Sequence, residues 1–227
     1  KDNLFDSIDL GGGEPNNKMF WTLDPVDGTK GFLRGEQYAI ALALIVDGEV
    51  KLGISGCPNL VLPDQSSESG FLAYAIKGEG AYLYNVESGA SSKIAVSGIS
   101  DSREMRFVES YVSGHSNQGL QADIANKLEI RRDSVRLDSQ VKYAILASGN
   151  AEIYLRIPNP KTPNYKEKIW DHAAGSIVVQ EAGGIVTDIY GKPLDFSTGK
   201  TLKDNSGIVG AVPAVHGRII EIIDQLK

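Results

Sequence analysis

YAIALALIVDGEVKLGI, residues 38–54, begins with an almost continuously apolar run from Tyr38 to Val46, turns at Asp47-Gly48, and resumes with Val50, Leu52 and Ile54 in alternation. An apolar run of that length, closed by a turn, reads as a buried strand, and strict alternation reads as a half-buried one. Asp-Gly between them fits a type I′ turn, whose two central residues both need positive φ. This stretch therefore predicts a hairpin. Residues 71–84, FLAYAIKGEGAYLY, repeat the plan of strand, Gly-rich turn and strand. The first half of the chain is expected to be a mainly antiparallel sheet.

Upstream, Phe20 to Leu23 predicts a short strand ending at Asp24, and Asp24-Pro25-Val26-Asp27-Gly28-Thr29 follows. Asp, Pro and Gly are turn residues, so a solvated turn is one reading. The other is a metal site. Proline stiffens the turn, and Gly28 lets the chain bend after it. Hard cations such as Mg²⁺ take oxygen ligands and keep places for water and phosphate. Asp24, Asp27 and the Val26 carbonyl would give such a partial shell, and the Thr29 hydroxyl could orient an attacking water. The segment alone leaves both readings open.

Downstream, the Ser- and Gly-rich stretch 85–103 marks a candidate domain border, giving segments 1–99 and 100–227. Beyond it strand and helix patterns alternate: Phe107–Tyr111, Val135–Leu137, Ile153–Ile157 and Ile185–Thr187 as strands; Asn117–Leu128, Lys142–Ser148 and Asp171–Ala182 as helices, the last closed by Gly183-Gly184. Val215, Ile219, Ile222 and Leu226 share one face of a final helix. This alternation predicts a layered α/β second half.

Trp170-Asp171-His172-Ala173-Ala174-Gly175 stands at the start of one of these helices. Asp171 fits an N-cap, or a third carboxylate brought to the first two. The small residues after it would let the helix start approach a ligand, with its positive end favouring an anion. His172 reads as a packed or surface histidine or as a metal ligand, and Trp170 and Tyr143 read as core rather than as base-stacking groups.

With 41% hydrophobic residues and no apolar run near bilayer length, no membrane is expected. A net charge of −6 argues against nucleic acid as partner, while a local cationic cluster could still hold a small anion. Cys57 is the only cysteine, which excludes an internal disulfide and fits a reducing, cytoplasmic setting. No exposed apolar stripe stands out, so a monomer is expected.

Asp24-Pro-Val-Asp-Gly-Thr29 together with Trp170-Asp-His-Ala-Ala-Gly175 resembles the lithium-sensitive, Mg²⁺-dependent phosphatase superfamily of inositol monophosphatases, inositol polyphosphate 1-phosphatases and 3′(2′),5′-bisphosphate nucleotidases. KGFLRGEQ, GCPNL, LDSQVKY, YLRIP and EKIWDHAAG are similar to the bisphosphate nucleotidase branch, especially the fungal salt-tolerance enzymes. The resemblance runs from about Phe20 to the last helix. It implies an α-β-α-β-α sandwich. It implies hydrolysis of adenosine 3′,5′-bisphosphate to AMP and of 3′-phosphoadenosine 5′-phosphosulfate, with two or three Mg²⁺ ions and inhibition by Li⁺. Asp24, the Val26 carbonyl, Asp27 and Asp171 would hold the metal. Thr29 would activate water beside Asp27, and Gly28 and Thr29 would touch the scissile phosphate. His115, Ser139, Lys142 and Arg156 match positions that hold the nucleotide and its second phosphate. Read physically, Lys142 and Arg156 are either phosphate-neutralising cations or solvated or salt-bridged surface charges, and Ser139 and Lys142 stand one helical turn apart. An inositol phosphate phosphatase is the rival enzyme. The family's acidic Glu motif and a further Asp, both upstream, have no match here. The expectation is a chain lacking the N-terminal third, carried by a second polypeptide or absent; in the latter case the chain would be an inactive nucleotide-binding fragment.

Overall fold

The computed structural model describes residue 13 and residues 18–62, 69–111, 117–162 and 164–226. Six strands form an antiparallel meander: β1 Met19–Asp27, β2 Ala39–Val46, β3 Glu49–Cys57, β4 Phe71–Ile76, β5 Gly80–Asn85 and β6 Ser91–Ile94. A short helix, α1 Thr29–Leu33, interrupts the first connection. The β2–β3 turn is type I′ as expected, with φ of 51° at Asp47 and 78° at Gly48.

The second sheet has the order β10-β11-β9-β7-β8. Its strands are β7 Phe107–Glu109, β8 Val135–Arg136, β9 Ile153–Arg156, β10 Ile185–Thr187 and β11 Ile208–Ala211. β7 runs parallel to β8 and β9, while β11 is antiparallel to β9 and β10. The helices are α2 Gln118–Lys127, α3 Val141–Ala147, α4 Ala173–Glu181 and α5 Pro213–Gln225. Asn117 caps α2 by accepting from the Leu120 N–H, as its position before the helix predicts. β6, β11 and α1 are additions to what the pattern gave.

The layers follow from which faces are apolar. α4 lies on β2–β5, and α3 joins it to β7 and β9, so this pair fills the space between the sheets. α2 and α5 cover the other face of the second sheet, with Ile124, Val215, Ile219 and Ile222 packed on Ile153 and Val209. The proposed border at residues 99/100 falls between the sheets. One core nevertheless runs across it, joining Ala43, Ile45 and Ala73 to Tyr143, Ala174 and Ile177.

No helix among the described residues covers the outer face of the six-stranded sheet. Its edge strand β1 turns Met19, Trp21 and Leu23 outward, 63, 56 and 54% exposed. The expectation of no exposed apolar stripe is corrected here. The side chains alternate on an edge strand whose helices all lie on the opposite face. No helix among the described residues is long and apolar enough to cross a membrane.

Candidate metal and phosphate site

β1 does not end at Asp24 but runs on to Asp27. Its pairing slips within the motif: Asp24 lies opposite Ala41 and Asp27 opposite Ala39, so three steps on β1 match two on β2. That extra residue is a β-bulge, and Pro25, which has no N–H to give a ladder, sits in it. The consequence is chemical. In a regular strand, residues three apart point to opposite faces. The bulge returns Asp27 to the side of Asp24.

Asp171 joins them from the far end of the chain. Carboxylate oxygens of Asp24, Asp27 and Asp171 all lie within 4.8 Å of one another. Burial first, and then the charge of Asp27, push the Asp24 carboxyl up to about 6. Burial likewise raises Asp171. Three crowded carboxylates, of which Asp24 and Asp171 resist ionising, are a donor set short of positive charge, and an oxygen-seeking divalent cation fits that chemistry. The Thr29 hydroxyl donates to the Val26 carbonyl at 3.3 Å, so both groups stand at the same corner.

Segment 137–142 closes the site from the other side. Ser139 adopts φ of 65° and presses against Gly28, where an added Cβ would come within 2.7 Å of the Ser139 Cβ. Gly28 also needs its own φ of 83°, so no other residue fits there. Ser139 precedes α3, so the expected shared helical turn with Lys142 is corrected. Both residues still line one cavity of about 280 Å³ with Asp27, Thr29, Arg156 and Asp171. Gly28 lines it too. His115 lies outside the described residues.

The surface-charge reading is corrected for Lys142, whereas Arg156 is salt-bridged and partly exposed. Lys142 is only 4% exposed, and its Nζ reaches the Leu137 carbonyl at 3.4 Å. Burial, and then repulsion from Arg156, push it down to about 8 against the pull of Asp27. Arg156 Nε lies 2.8 Å from Glu167 Oε2. The same oxygen is 3.0 Å from His172 Nε2, and His172 Nδ1 is 2.8 Å from the Tyr143 hydroxyl. With both ring nitrogens engaged and no exposure, His172 is a packed histidine. Burial alone would raise the Glu167 carboxyl, but His172 and Arg156 outweigh it and hold it below the usual range.

Two expectations about the helix start fail. Asp171 closes the 3₁₀ turn Ile169–Asp171, and the residue capping α4 is His172, without a side-chain cap bond. Asp171 is thereby free to face the other carboxylates. The small residues after it serve packing, with Ala173 and Ala174 buried and an added Cβ on Gly175 falling 2.2 Å from Tyr143 Cδ2. The Gly175 N–H is taken by Gln140 Oε1 at 3.3 Å, not offered to a ligand. Tyr143 is fully buried as expected, whereas Trp170 is half-buried.

Sequence reasoning missed Asp138, Gln140, Tyr165 and Glu167. Asp138 pairs with Arg34, and Gln140 donates its backbone N–H to Asp27 Oδ2 at 2.6 Å. The available signals were LDSQVKY for Asp138 and Gln140 and EKIWDHAAG for Glu167, both read for their resemblance alone. Nothing local in a short polar segment announces contact with a carboxylate more than a hundred positions away.

The inositol monophosphatase family profile matches residues 4–227. The 3′(2′),5′-bisphosphate nucleotidase of Emericella nidulans is 46% identical over 241 residues, covering 98% of this chain and 68% of that protein. The enzyme of that name in Schizosaccharomyces pombe is 44% identical, covering 97% of this chain and 64% of its own length. The chain thus spans about two thirds of the length of the curated relatives it matches. Among solved structures, the Thermotoga maritima IMPase superposes with a TM-score of 0.69 at 23% identity, covering 93% of this chain and 70% of that one. The inositol monophosphatase from Anabaena gives 0.68 at 20% identity, covering 94 and 74%. Likeness at that identity shows a shared fold.

Proposed function

Because the chain belongs to the inositol monophosphatase family and stands with its 3′(2′),5′-bisphosphate nucleotidases, we propose that it hydrolyses the 3′-phosphate of adenosine 3′,5′-bisphosphate to give AMP. 3′-Phosphoadenosine 5′-phosphosulfate, giving adenosine 5′-phosphosulfate, is the second substrate. The observation that carries this reading is one cavity lined by two sets of groups of opposite sign. Asp27 and Asp171, with Asp24 beside them, make the acidic set, and the buried Lys142 and the partly buried Arg156 make the cationic set. A ligand with one phosphate uses only one set. A bisphosphate uses both.

Divalent metal use goes with the family. Mg²⁺, as two or three ions in our reading, supplies Lewis acidity toward phosphoryl oxygens and lowers the pKa of water. The chain's own residues do the rest. Asp24, Asp27, Asp171 and the Val26 carbonyl hold the cations. Thr29, beside Asp27, orients the attacking water toward phosphorus. Gly28, packed against Ser139, and Thr29 touch the scissile phosphate. Ser139, Lys142 and Arg156 take the second phosphate, with the Arg156 guanidinium held from behind by Glu167. We assign His115 to the nucleotide. Li⁺ would inhibit by entering a Mg²⁺ position. The buried free thiol of Cys57 supports a reducing, cytoplasmic location.

Phosphate release from adenosine 3′,5′-bisphosphate, inositol 1-phosphate and inositol 1,4-bisphosphate tests the reading. The nucleotide is expected to be preferred, with all turnover lost in EDTA. Arg156→Met should raise KM for the nucleotide about 10- to 100-fold, the loss of a hydrogen-bonded charge worth roughly 1.5–3 kcal/mol. Preference for inositol 1,4-bisphosphate would overturn the assignment.

A further inference from the structure

Gln140 is buried to 97%, being 3% exposed, and it touches both halves of the acidic site without belonging to either. Its backbone N–H donates to Asp27 Oδ2 at 2.6 Å. Its side-chain Nε2 donates to the Trp170 carbonyl at 2.8 Å, one residue before Asp171. Its Oε1 accepts from the Gly175 N–H at 3.3 Å, in the first turn of the helix that follows Asp171. One residue thus spans from a carboxylate on β1 to the peptide groups on either side of a carboxylate at the start of α4.

The geometry points to Gln140 as a positioning residue that sets the separation of Asp27 and Asp171 and thereby tunes divalent-cation affinity; this rests on the metal reading above. Three repelling carboxylates spread apart unless something ties their segments together. Asp27 rides on a bulged edge strand, and Asp171 closes a 3₁₀ turn, so neither is held by regular secondary structure on both sides. The amide of Gln140 supplies the tie by fixing the Trp170–Gly175 backbone, while its own N–H fixes the Asp27 carboxylate. A primary amide at this length donates to the carbonyl and accepts from the N–H at once. Groups that orient metal ligands commonly change metal affinity 10- to 100-fold when lost.

The test uses the native protein and Gln140→Met, which keeps the length and the backbone N–H but loses both amide contacts. Two readouts are needed: Mn²⁺ binding without substrate, and the Mg²⁺ concentration for half-maximal phosphatase rate. Both constants should rise about tenfold, with kcat at saturating Mg²⁺ within about twofold of the parent and a smaller rise in Tm on adding Mg²⁺. A residue that only supports the fold would lower Tm without moving the metal constants. A folded Met variant with parental Mn²⁺ affinity overturns the role. Gln140→Asn, which keeps an amide but cannot reach Trp170, serves if Met does not fold, and parental affinity there overturns it equally. A parent protein that binds no Mn²⁺ overturns the metal reading itself, and with it this one.

Discussion

Lys142 shows what the site does to a single residue. Its ammonium sits in the cavity wall, faced by Asp27 from β1, Asp138 from the preceding loop, and Arg156 and Tyr154 from β9. Burial and Arg156 hold it at about 8, so in the free enzyme it is a cation at neutral pH and loses its proton just above. The sign follows directly. A phosphate prefers the charged form, so KM for the bisphosphate should rise as pH climbs past about 8, with roughly a tenth of the free enzyme still charged one unit above. Bound phosphate favours the charged form, so kcat should change far less. Lys142→Arg, charged at every working pH, should flatten the KM profile, and Lys142→Met should flatten it at a weaker affinity. A KM independent of pH between 7 and 9.5 in the parent would refute the role. The residue type and its place in LDSQVKY were legible in the sequence, but its burial was not. Burial depends on α3 and β9 meeting across the cavity, which is a long-range fact. The same holds for Asp24 and Asp27. Their chemistry was readable, whereas the bulge that brings them to one side appears only once β1 is paired with β2.

Helix α4 carries the burden at the next scale, because it packs on the first sheet, on α3 and beside the acidic cluster. Its approach to Tyr143 works only without a side chain at Gly175, where an added Cβ would meet the ring at 2.2 Å. The ring cannot swing aside, since Tyr143 is fully buried and its hydroxyl is tied to His172 at 2.8 Å. Gly→Ala in a helix normally gains about 1 kcal/mol of propensity. Here overpacking should outweigh that, leaving Gly175→Ala destabilised by roughly 1–3 kcal/mol. Gly217 in α5 is the internal control, because a Cβ there meets nothing within 4 Å. Gly217→Ala should stabilise by about 0.5–1 kcal/mol. Thermal melts of the two variants should therefore shift in opposite directions, by roughly 2–4 °C per kcal/mol. Shifts of the same sign would refute the packing argument. From sequence, the existence of α4 and its Gly183-Gly184 stop were legible. The purpose of Ala173, Ala174 and Gly175 was not, because small residues permit close approach without naming what approaches.

At the scale of the molecule, periodicity revealed the alternation of strands and helices because each element has one apolar face and its length fits the pattern. It gave no ordering of layers, and it missed β11 and β6, which are short and lack alternation. Four layers are described: sheet, helix pair, sheet, helix pair. The implied outer helical layer of the sandwich is not among the described residues. Among the described residues the outer face of the first sheet is open, and there Trp21, Leu44, Leu52 and Ile76 lie in one cross-strand row, and Leu23, Leu42, Ile54 and Tyr74 in the next. A continuous apolar surface of that kind attracts another surface, and β1 adds the unpaired peptide groups of an edge strand. A polypeptide of these 227 residues is therefore expected to enhance the fluorescence of 8-anilinonaphthalene-1-sulfonate. Its sedimentation coefficient should rise with concentration. Trp21→Lys combined with Leu23→Glu should reduce both effects, because charged side chains on an edge strand oppose association, while leaving the buried face of β1, with Thr22, intact. A parent polypeptide that neither binds the dye nor associates would mean that another segment already covers this face. The double variant would then lose stability instead of gaining solubility, and a melt alongside the dye titration separates the two outcomes.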